Sequence, residues 1–310
     1  MRRLAALFLC PLLAVGLLAG CGGGNSADKG LPSVSGKYGE KPKVKADTKV
    51  KPGTKLRSSV LVEGKGPKVA KGDLLVADYL GSVYATNKVF DNSYDRGQPA
   101  GFEIGTGKVI KGWDETLVGV KAGSRVLIVI PPAKGYGKEG NTEAGIKGTD
   151  SLVFVVDVIK SYGKDATKSD DSSTPVTGLP ASLPKVVGTP GTAPTITVAK
   201  GTTPPKAAAA TVIDKGTGKP VTKGKLVVVQ YTAVNFANEP LDTTWEARVP
   251  RGFGVGIEGR ATPFDELVGI PVGSRVLLLL PAQQGGDPKK DSVAVAMDIV
   301  AMNGPAKEAA

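Results

Sequence analysis

Apolar side chains recur with the two-residue period of β-strands in several stretches of the chain. In residues 72–79 (GDLLVADY) they alternate between two faces, and residues 152–159 (LVFVVDVI) are apolar on both faces, as a central strand requires. Residues 125–130 form a β-branched run that stops at Pro131. Similar signals occur at 226–230, 275–280 and 293–300. The pattern predicts a protein built mainly from antiparallel strands.

One short segment between these strands favours a helix instead. Residues 113–118 (WDETLV) place Asp114 and Glu115 in a first turn, where negative charge suits the helix dipole, and Gly119 ends the segment. A twisted antiparallel sheet wrapped over one short helix accounts for both kinds of element. The predicted fold class is therefore mainly β, of the α+β type.

The chain contains an internal repeat. Residues 72–79 match residues 224–231 (GKLVVVQY), and residues 117–132 (LVGVKAGSRVLIVIPP) match residues 267–282 (LVGIPVGSRVLLLLPA). The blocks keep their order and nearly keep their spacing. Because this spacing far exceeds the unit of a solenoid, the sequence predicts two copies of one domain.

The N-terminus has the composition of a targeting segment. Arg2 and Arg3 precede an apolar run over residues 4–18, which is too short and wrongly flanked for a membrane span. The run continues as Leu18-Ala19-Gly20-Cys21, which resembles a bacterial lipobox, whose cysteine is lipidated. The alternative is an ordinary secretory signal with a chance cysteine. We predict lipid on Cys21 and an extracytoplasmic protein anchored to the bacterial cytoplasmic membrane.

The region between the two copies divides the chain. It is rich in Ser, Thr, Asp, Lys, Gly and Pro, which predicts a flexible linker that lets the copies move relative to each other. The predicted organisation is a signal peptide (1–20), a flexible tether (21–40), a first domain (41–162), a linker (163–192), a second domain (193–303) and a tail (304–310).

Composition excludes several chemistries. The 310 residues include no His and two Cys, which rules out catalysis by Ser-His-Asp or Cys-His groups, His metal ligands and Cys-rich zinc sites. We therefore expect no metal and no cofactor. Cys10 leaves with the signal peptide and Cys21 carries lipid, so we expect no disulfide.

Basic residues are concentrated near the N-terminus. The net charge is +11, and residues 37–57 contain eight Lys or Arg and two acidic residues. Two interpretations remain open for this basic arm: adhesion to anionic lipid or a wall polymer, and a merely solvated segment. Nucleic acid is not an expected partner, because export removes the opportunity and the arm lacks interleaved aromatic residues.

The first copy resembles the FKBP family of peptidyl-prolyl cis-trans isomerases. The motifs that carry the resemblance, in the family's order and spacing, are Tyr79-Leu80-Gly81, residues 89–97 (VFDNSYDRG), 101–124 (GFEIGTGKVIKGWDETLVGVKAGS), 130–137 (IPPAKGYG) and 152–159. The whole chain resembles a bacterial lipoprotein with two such domains. The resemblance implies an isomerase that acts on X-Pro bonds of proline-containing exported polypeptides.

The resemblance also implies a proline pocket and its residues. It assigns catalysis to Tyr79, Asp91, Arg96 and Tyr136, and substrate binding to Phe90, Phe102, Val109, Ile110, Trp113, Ile146 and Phe154. Trp113 would lie under the proline ring, the Ile110 amide and the Tyr136 hydroxyl would hold peptide carbonyls, and Asp91 would face the twisting carbonyl. Taken singly, the apolar residues also suit a sheet core, and Asp91 with Arg96 suits a surface ion pair.

The second copy keeps only part of this set. Tyr231, Asp242 and Phe253 stand where Tyr79, Asp91 and Phe102 stand, but Phe264 replaces Trp113. The segment corresponding to the one that carries Tyr136 has no tyrosine. We predict a degenerate second domain with little or no isomerase activity. Two other functions remain open for the whole chain: a non-catalytic peptide-binding or chaperone lipoprotein, and a solute receptor or wall-anchoring lipoprotein supported by the basic arm alone.

Overall fold

The computed structural model describes residues 31–309, so the predicted signal peptide and Cys21 lie outside the described residues. The first repeat contains one α-helix and a 3-10 turn over Pro132–Lys134. Its elements are β1 (Ser33–Ser35), β2 (Lys43–Lys45), β3 (Arg57–Val62), β4 (Leu74–Val83), β5 (Val89–Asn92), β6 (Ala100–Glu103), α1 (Lys111–Leu117), β7 (Arg125–Ile130) and β8 (Leu152–Tyr162).

The second repeat has the strand succession of the first, preceded by one additional short strand, and a different helix. The counterpart of α1 is a 3-10 helix over Pro263–Leu267, and a second 3-10 helix, Ala306–Glu308, follows the last strand. Its other elements are β9 (Ser173–Pro175), β10 (Lys185–Val187), β11 (Thr195–Thr197), β12 (Ala209–Gly216), β13 (Lys225–Asn235), β14 (Pro240–Thr243), β15 (Arg251–Val255), β16 (Arg275–Leu280), α2 (Pro288–Asp291) and β17 (Val293–Asn303).

Each repeat is built on one antiparallel sheet. The strand order is β3-β7-β8-β4-β5 in the first sheet, with β6 on β4, and β14-β13-β17-β16-β12-β9 in the second, with β15 on β13. The inner faces of β4, β7 and β8 pack with Trp113 and Leu117 of α1 in one apolar core. The predicted mainly β fold is confirmed. No helix within residues 31–309 is long and apolar enough to cross a lipid bilayer.

The outer face of each sheet is covered by a small hairpin. In the first repeat β1 and β2 pair, and Val34 and Val44 pack on Leu127 and Val153. The prediction of a flexible tether up to residue 40 is therefore wrong for residues 33–40. The hairpin is ordered because its inward valines bury apolar area that the sheet would otherwise expose to water.

The predicted linker is also largely structured. β9 pairs with β12 at the edge of the second sheet, and β10 pairs with β11 to form the hairpin of the second repeat. Val186 and Ile196 of this hairpin pack against Phe236 and Leu277. The prediction that residues 163–192 form a flexible linker is wrong, because the short strands gain sheet partners and a buried face.

A buried ion pair holds each hairpin on its sheet. Arg125 Nε and Nη2 donate to the two oxygens of Asp157 at 2.6 and 2.7 Å, and Nη1 and Nη2 donate to Gly36 O and Glu40 O respectively, both at 2.7 Å. Arg125 is 1% exposed. In the second repeat Arg275 makes the same contacts with Asp298, Gly188 O and Thr192 O.

The two repeats pack against each other. Leu74, Val76 and Tyr162 of the first repeat and Leu226 and Val228 of the second form one buried apolar cluster. Gln98 Nε2 also donates to Lys225 O at 2.6 Å across the junction. The predicted freedom of movement between the copies is therefore not what the structure shows, since separation would expose this cluster to water.

Candidate functional site

A cavity of about 530 Å³ opens between α1 and the inner face of the first sheet. Its walls come from β4, β5, β6, β8, α1 with the loop before it, and the segment that follows the 3-10 turn. The lining residues are Tyr79, Phe90, Asp91, Phe102, Lys108, Val109, Ile110, Lys111, Trp113, Gly135, Tyr136 and Phe154. Most of these side chains are apolar, so the cavity suits a small apolar group with one polar edge.

Aromatic rings surround the indole of Trp113. The ring centroid of Trp113 lies 4.8 Å from that of Phe102, 5.3 Å from Phe154 and 5.7 Å from Tyr79, and all three contacts are edge-to-face. Trp113 can lie this deep because Gly112 lets α1 approach β7. A Cβ at Gly112 would come within 2.7 Å of the Ile130 side chain. The edge-to-face geometry makes a rigid apolar floor.

The loop before α1 is fixed by one carboxylate. Asp114 accepts hydrogen bonds from the backbone N–H groups of Gly105 at 2.6 Å and Gly107 at 2.8 Å. Both glycines have φ near +80°, a conformation that other residues adopt at a cost. This anchoring holds Val109 and Ile110 at the cavity wall, directly before α1.

The polar edge of the cavity is a three-residue network. The Tyr79 hydroxyl donates to Asp91 Oδ2, and Arg96 donates to Asp91 Oδ1 at 2.5 Å and to the Tyr79 hydroxyl oxygen at 2.8 Å. Burial of the side chain is the main cause that raises the pKa of Tyr79, to about 12, and the hydrogen bond to Asp91 is the second cause. Tyr79 is therefore a neutral donor at physiological pH, and it fixes the Asp91 carboxylate at the cavity edge.

The structure brings together most of the residues that the sequence nominates. Of those within the described residues, all line the cavity except Arg96 and Ile146, and the predicted lipidation residue Cys21 lies outside the described residues. Arg96 acts from outside the cavity through its contacts to Asp91 and Tyr79. Ile146 is 3% exposed and packs in the core, where its backbone exchanges two hydrogen bonds of 2.8 Å with Asn141. It orders the segment after Tyr136 and does not line the cavity.

Three lining residues were not nominated from the sequence. Lys108 and Lys111 flank Val109 and Ile110, and Gly135 precedes Tyr136. Their adjacency to nominated residues is the signal that could have identified them. The two lysines add positive charge to a lining that also contains the Asp91 carboxylate.

The corresponding region of the second repeat has a polar network but a collapsed floor. The Tyr231 hydroxyl donates to Asp242 at 2.5 Å, and this bond holds the pKa of Asp242 below its usual range. Arg251 supplies the cation, with Nη1 at 3.0 Å from Asp242 Oδ2. Phe253 stacks face to face on Phe264 at 3.9 Å, which leaves no room between the rings.

Comparisons with known proteins place the first repeat in a family. A model described as FKBP-type peptidyl-prolyl cis-trans isomerase matches residues 66–159. FK506-binding protein 1A of Neurospora crassa is 45% identical over 83 residues, which are 26% of this chain and 68% of that protein. FK506-binding protein 2 of Aspergillus fumigatus is 45% identical over 73 residues, which are 24% of this chain and 54% of that protein.

Among solved structures, the crystal structure of AtFKBP13 has 36% sequence identity, a TM-score of 0.32, and coverage of 34% of this chain and 93% of that one. The chain spans about half the length of several of the curated relatives that it matches. The resemblance inferred from the motifs around Tyr79, Asp91 and Trp113 is confirmed. The protein belongs to the FKBP-type peptidyl-prolyl cis-trans isomerase family, and the matched residues lie in its first repeat.

Proposed function

We propose that the first repeat catalyses cis-trans isomerisation of X-Pro peptide bonds. The observation that carries this proposal is the joining of an aromatic floor around Trp113 to the Tyr79–Asp91–Arg96 network at the edge of one cavity. The floor suits a proline ring, and the network fixes a carboxylate beside the place where the ring's own amide would lie. No cofactor is needed, because isomerisation makes and breaks no covalent bond.

The mechanism follows from the amide's electronic structure. Rotation about a peptide bond removes its resonance and faces a barrier of roughly 18–20 kcal/mol. The twisted amide is less polar than the planar one, so withdrawal of water by the apolar walls penalises the planar state more. Asp91, held in place by Tyr79 and Arg96, meets the twisting amide without reorganisation, which favours the transition state electrostatically.

Replacement of Asp91 by valine tests this function. We expect Asp91→Val to lower kcat/KM for an X-Pro peptide by about tenfold, because it removes a preorganised charge and keeps the apolar floor. The assay follows the peptide by NMR exchange spectroscopy on the full chain in a Cys21→Ser background. The melting temperature, measured in parallel, should change little, since the Asp91 side chain is 44% exposed.

The matched control is Asp242→Val in the second repeat, which removes the equivalent carboxylate from the collapsed region. Activity should stay within about twofold of the parent chain, because the stacked rings of Phe253 and Phe264 leave no proline site there. Equal kcat/KM for Asp91→Val and the parent chain would show that Asp91 takes no part in isomerisation. A folded parent chain that binds the peptide without accelerating exchange would establish a non-catalytic peptide-binding protein instead.

We also propose that the protein acts on exported polypeptides while lipid-anchored through Cys21 outside the cytoplasmic membrane. The sequence Leu18-Ala19-Gly20-Cys21 supports this proposal. Strand β1 begins at Ser33, twelve residues after Cys21. A chain of that length reaches at most about 40 Å, which limits the distance of the first repeat from the membrane. The exposed lysines of β2, Lys43 and Lys45, would then lie near the membrane, within reach of anionic lipid or a wall polymer.

Membrane fractionation tests the anchor. Cys21→Ser should move the protein from the membrane fraction to the soluble fraction, because a basic arm alone binds far more weakly than a lipid chain plus a basic patch. Cys10→Ser is the matched control and should leave the protein in the membrane fraction. Retention of the Cys21→Ser protein on membranes at high salt would contradict the lipid anchor. Release of the parent protein from membranes by salt alone would indicate binding through the basic arm.

A further inference from the structure

The contact between the two repeats joins equivalent positions. Tyr162 and Asn303, the last residues of β8 and β17, meet across the junction, with the Tyr162 hydroxyl donating to Asn303 Oδ1 at 2.9 Å. Gly101 of β6 and Gly252 of β15 also face each other, since a Cβ on Gly101 would lie 3.6 Å from Gly252 Cα. The repeats are therefore packed like the halves of an isologous dimer.

The segment after each last strand crosses to the other repeat. Ala166, four residues after Tyr162, accepts a hydrogen bond from Gln230 Nε2 at 3.1 Å. Ala306, three residues after Asn303, donates its backbone N–H to Asp78 Oδ2 at 2.7 Å. Asp78 and Gln230 are equivalent, because each directly precedes the tyrosine of its repeat. Only the first repeat has a carboxylate at this position.

Asp78 connects the crossing segment to the cavity. Its Oδ1 accepts a hydrogen bond from Ser93 Oγ at 2.7 Å, and Ser93 Oγ accepts one from the backbone N–H of Tyr79 at 2.9 Å. The Ser93 N–H also donates to Tyr79 O at 3.0 Å. Ser93 lies two residues beyond Asp91, so this set of bonds joins both chain segments that carry the polar edge. Asp78 and Ser93 are 1% and 0% exposed.

The crossing segment fits closely against the first repeat. Ala306 is fully buried, and a Cβ on Gly39 would come within 2.6 Å of Lys307 Cα. Gly39 also donates its N–H to Asp157 at 2.8 Å. A glycine with φ near +80° is thus required at the point where the first repeat's hairpin meets the last residues of the second. The contact is built from both sides.

We propose that residues 304–308 of the second repeat form a positioning element for the Tyr79–Asp91 pair, acting through the Ala306 N–H, Asp78 and Ser93. This inference rests on the proposed isomerase function of the first repeat. The second repeat then contributes to the reaction without a site of its own: it supplies the donor that fixes the Asp78 carboxylate. Asp78 in turn orients the Ser93 hydroxyl that ties β4 to the end of β5.

Replacement of Ala306 by proline removes this donor, and the proline Cδ would lie where the N–H points at Asp78 Oδ2, so the residue must also move away from the carboxylate. Proline suits the first position of a helical turn, and Pro305 before it already has extended backbone angles (φ −54°, ψ 154°). We expect kcat for the X-Pro peptide to fall about fivefold, which is the size of effect typical of coupling through a buried network. The peptide's KM should stay within about twofold, because the aromatic floor has no bond to Asp78.

Further variants separate positioning from a structural role. Ser93→Ala breaks the same connection one step closer to the cavity, so the double variant Ala306→Pro/Ser93→Ala should lose no more kcat than the larger single loss. Lys290→Ala is the control, because it alters an exposed side chain of the second repeat outside residues 304–308; its kcat should equal that of the parent. Removal of residues 305–310 eliminates the donor without inserting a ring and should match Ala306→Pro.

The outcomes distinguish this inference from the function on which it rests. If the parent chain itself shows no isomerisation, the proposed function fails first. If the parent is active and removal of residues 305–310 leaves kcat unchanged, the positioning element alone is overturned. Additive losses for Ala306→Pro and Ser93→Ala would also overturn it, as would a fall in kcat that follows only the fraction of unfolded protein measured at the assay temperature.

Discussion

Arg125→Met is expected to destabilise the first repeat by about 3–5 kcal/mol, the cost of leaving a buried charge without its partner. The Asp157 carboxylate is fully buried, and Arg125 supplies two of its hydrogen bonds. Methionine fills a similar volume but cannot donate, so the carbonyls of Gly36 and Glu40 also lose their donors. The hairpin of β1 and β2 should detach from the sheet before the core unfolds.

Urea unfolding monitored by circular dichroism measures the loss, and hydrogen exchange at Val34 and Val44 reports on the hairpin separately. Lys121→Ala is the matched control, because Lys121 forms an ion pair with Glu63 at 2.8 Å but lies exposed. That variant should lose less than about 1 kcal/mol, as exposed pairs do. A loss below 1 kcal/mol for Arg125→Met would show that the buried pair does not hold the hairpin.

The central strands could be predicted because their apolar composition indicates burial on both faces. Apart from Arg125 and Asp157, residues 125–130 and 152–159 are apolar on both faces, and both segments are strands of the structure, β7 and the first part of β8. The hairpin of β1 and β2 could not be predicted in this way. Each strand has three residues and one inward valine, which is too short for a two-residue period to stand out among Gly, Pro and Lys.

A longer repeat was the available signal for both hairpins. Residues 31–42 (LPSVSGKYGEKP) and 183–194 (LPKVVGTPGTAP) share Leu-Pro at the start, glycines at the sixth and ninth positions and a final proline. Gly36 O and Gly188 O, at the shared sixth position, accept from Arg125 and Arg275 respectively. The linker prediction failed because a glycine- and proline-rich composition describes short strands joined by tight turns as well as it describes flexible chain.

Some residues of the candidate site could be predicted from the sequence and others could not. The resemblance nominated Trp113, Phe102 and Asp91 as a set, and these residues do share one cavity. Ile146 was predicted to bind substrate but packs in the core. The sequence of a loop does not show which side of the loop an apolar residue faces. The contact between the repeats could not be predicted for a related reason. Leu74 and Val76 indicate that the outer face of β4 is covered, but they do not indicate that the second repeat covers it.

Val228→Asp is expected to separate the two repeats without unfolding either. Val228 is fully buried, but it faces the other repeat, so in a separated protein the new carboxylate would lie in water. Keeping the repeats together would instead bury an unpaired charge, at a cost of several kcal/mol. Small-angle X-ray scattering should show the radius of gyration rising by a few ångströms above the value of about 19 Å expected for a compact chain of this length.

Val227→Asp is the matched control, because alternate residues of a strand face opposite sides of a sheet. Val227 packs inside the second repeat with Tyr231 and Val276, so its replacement should unfold that repeat and reduce the strand signal in circular dichroism. Unchanged scattering for Val228→Asp would show that contacts other than the apolar cluster hold the repeats together. Separation should also withdraw Ala306 from Asp78, so the same variant should lower kcat as far as Ala306→Pro does, which connects the packing of the two repeats directly to the proposed site.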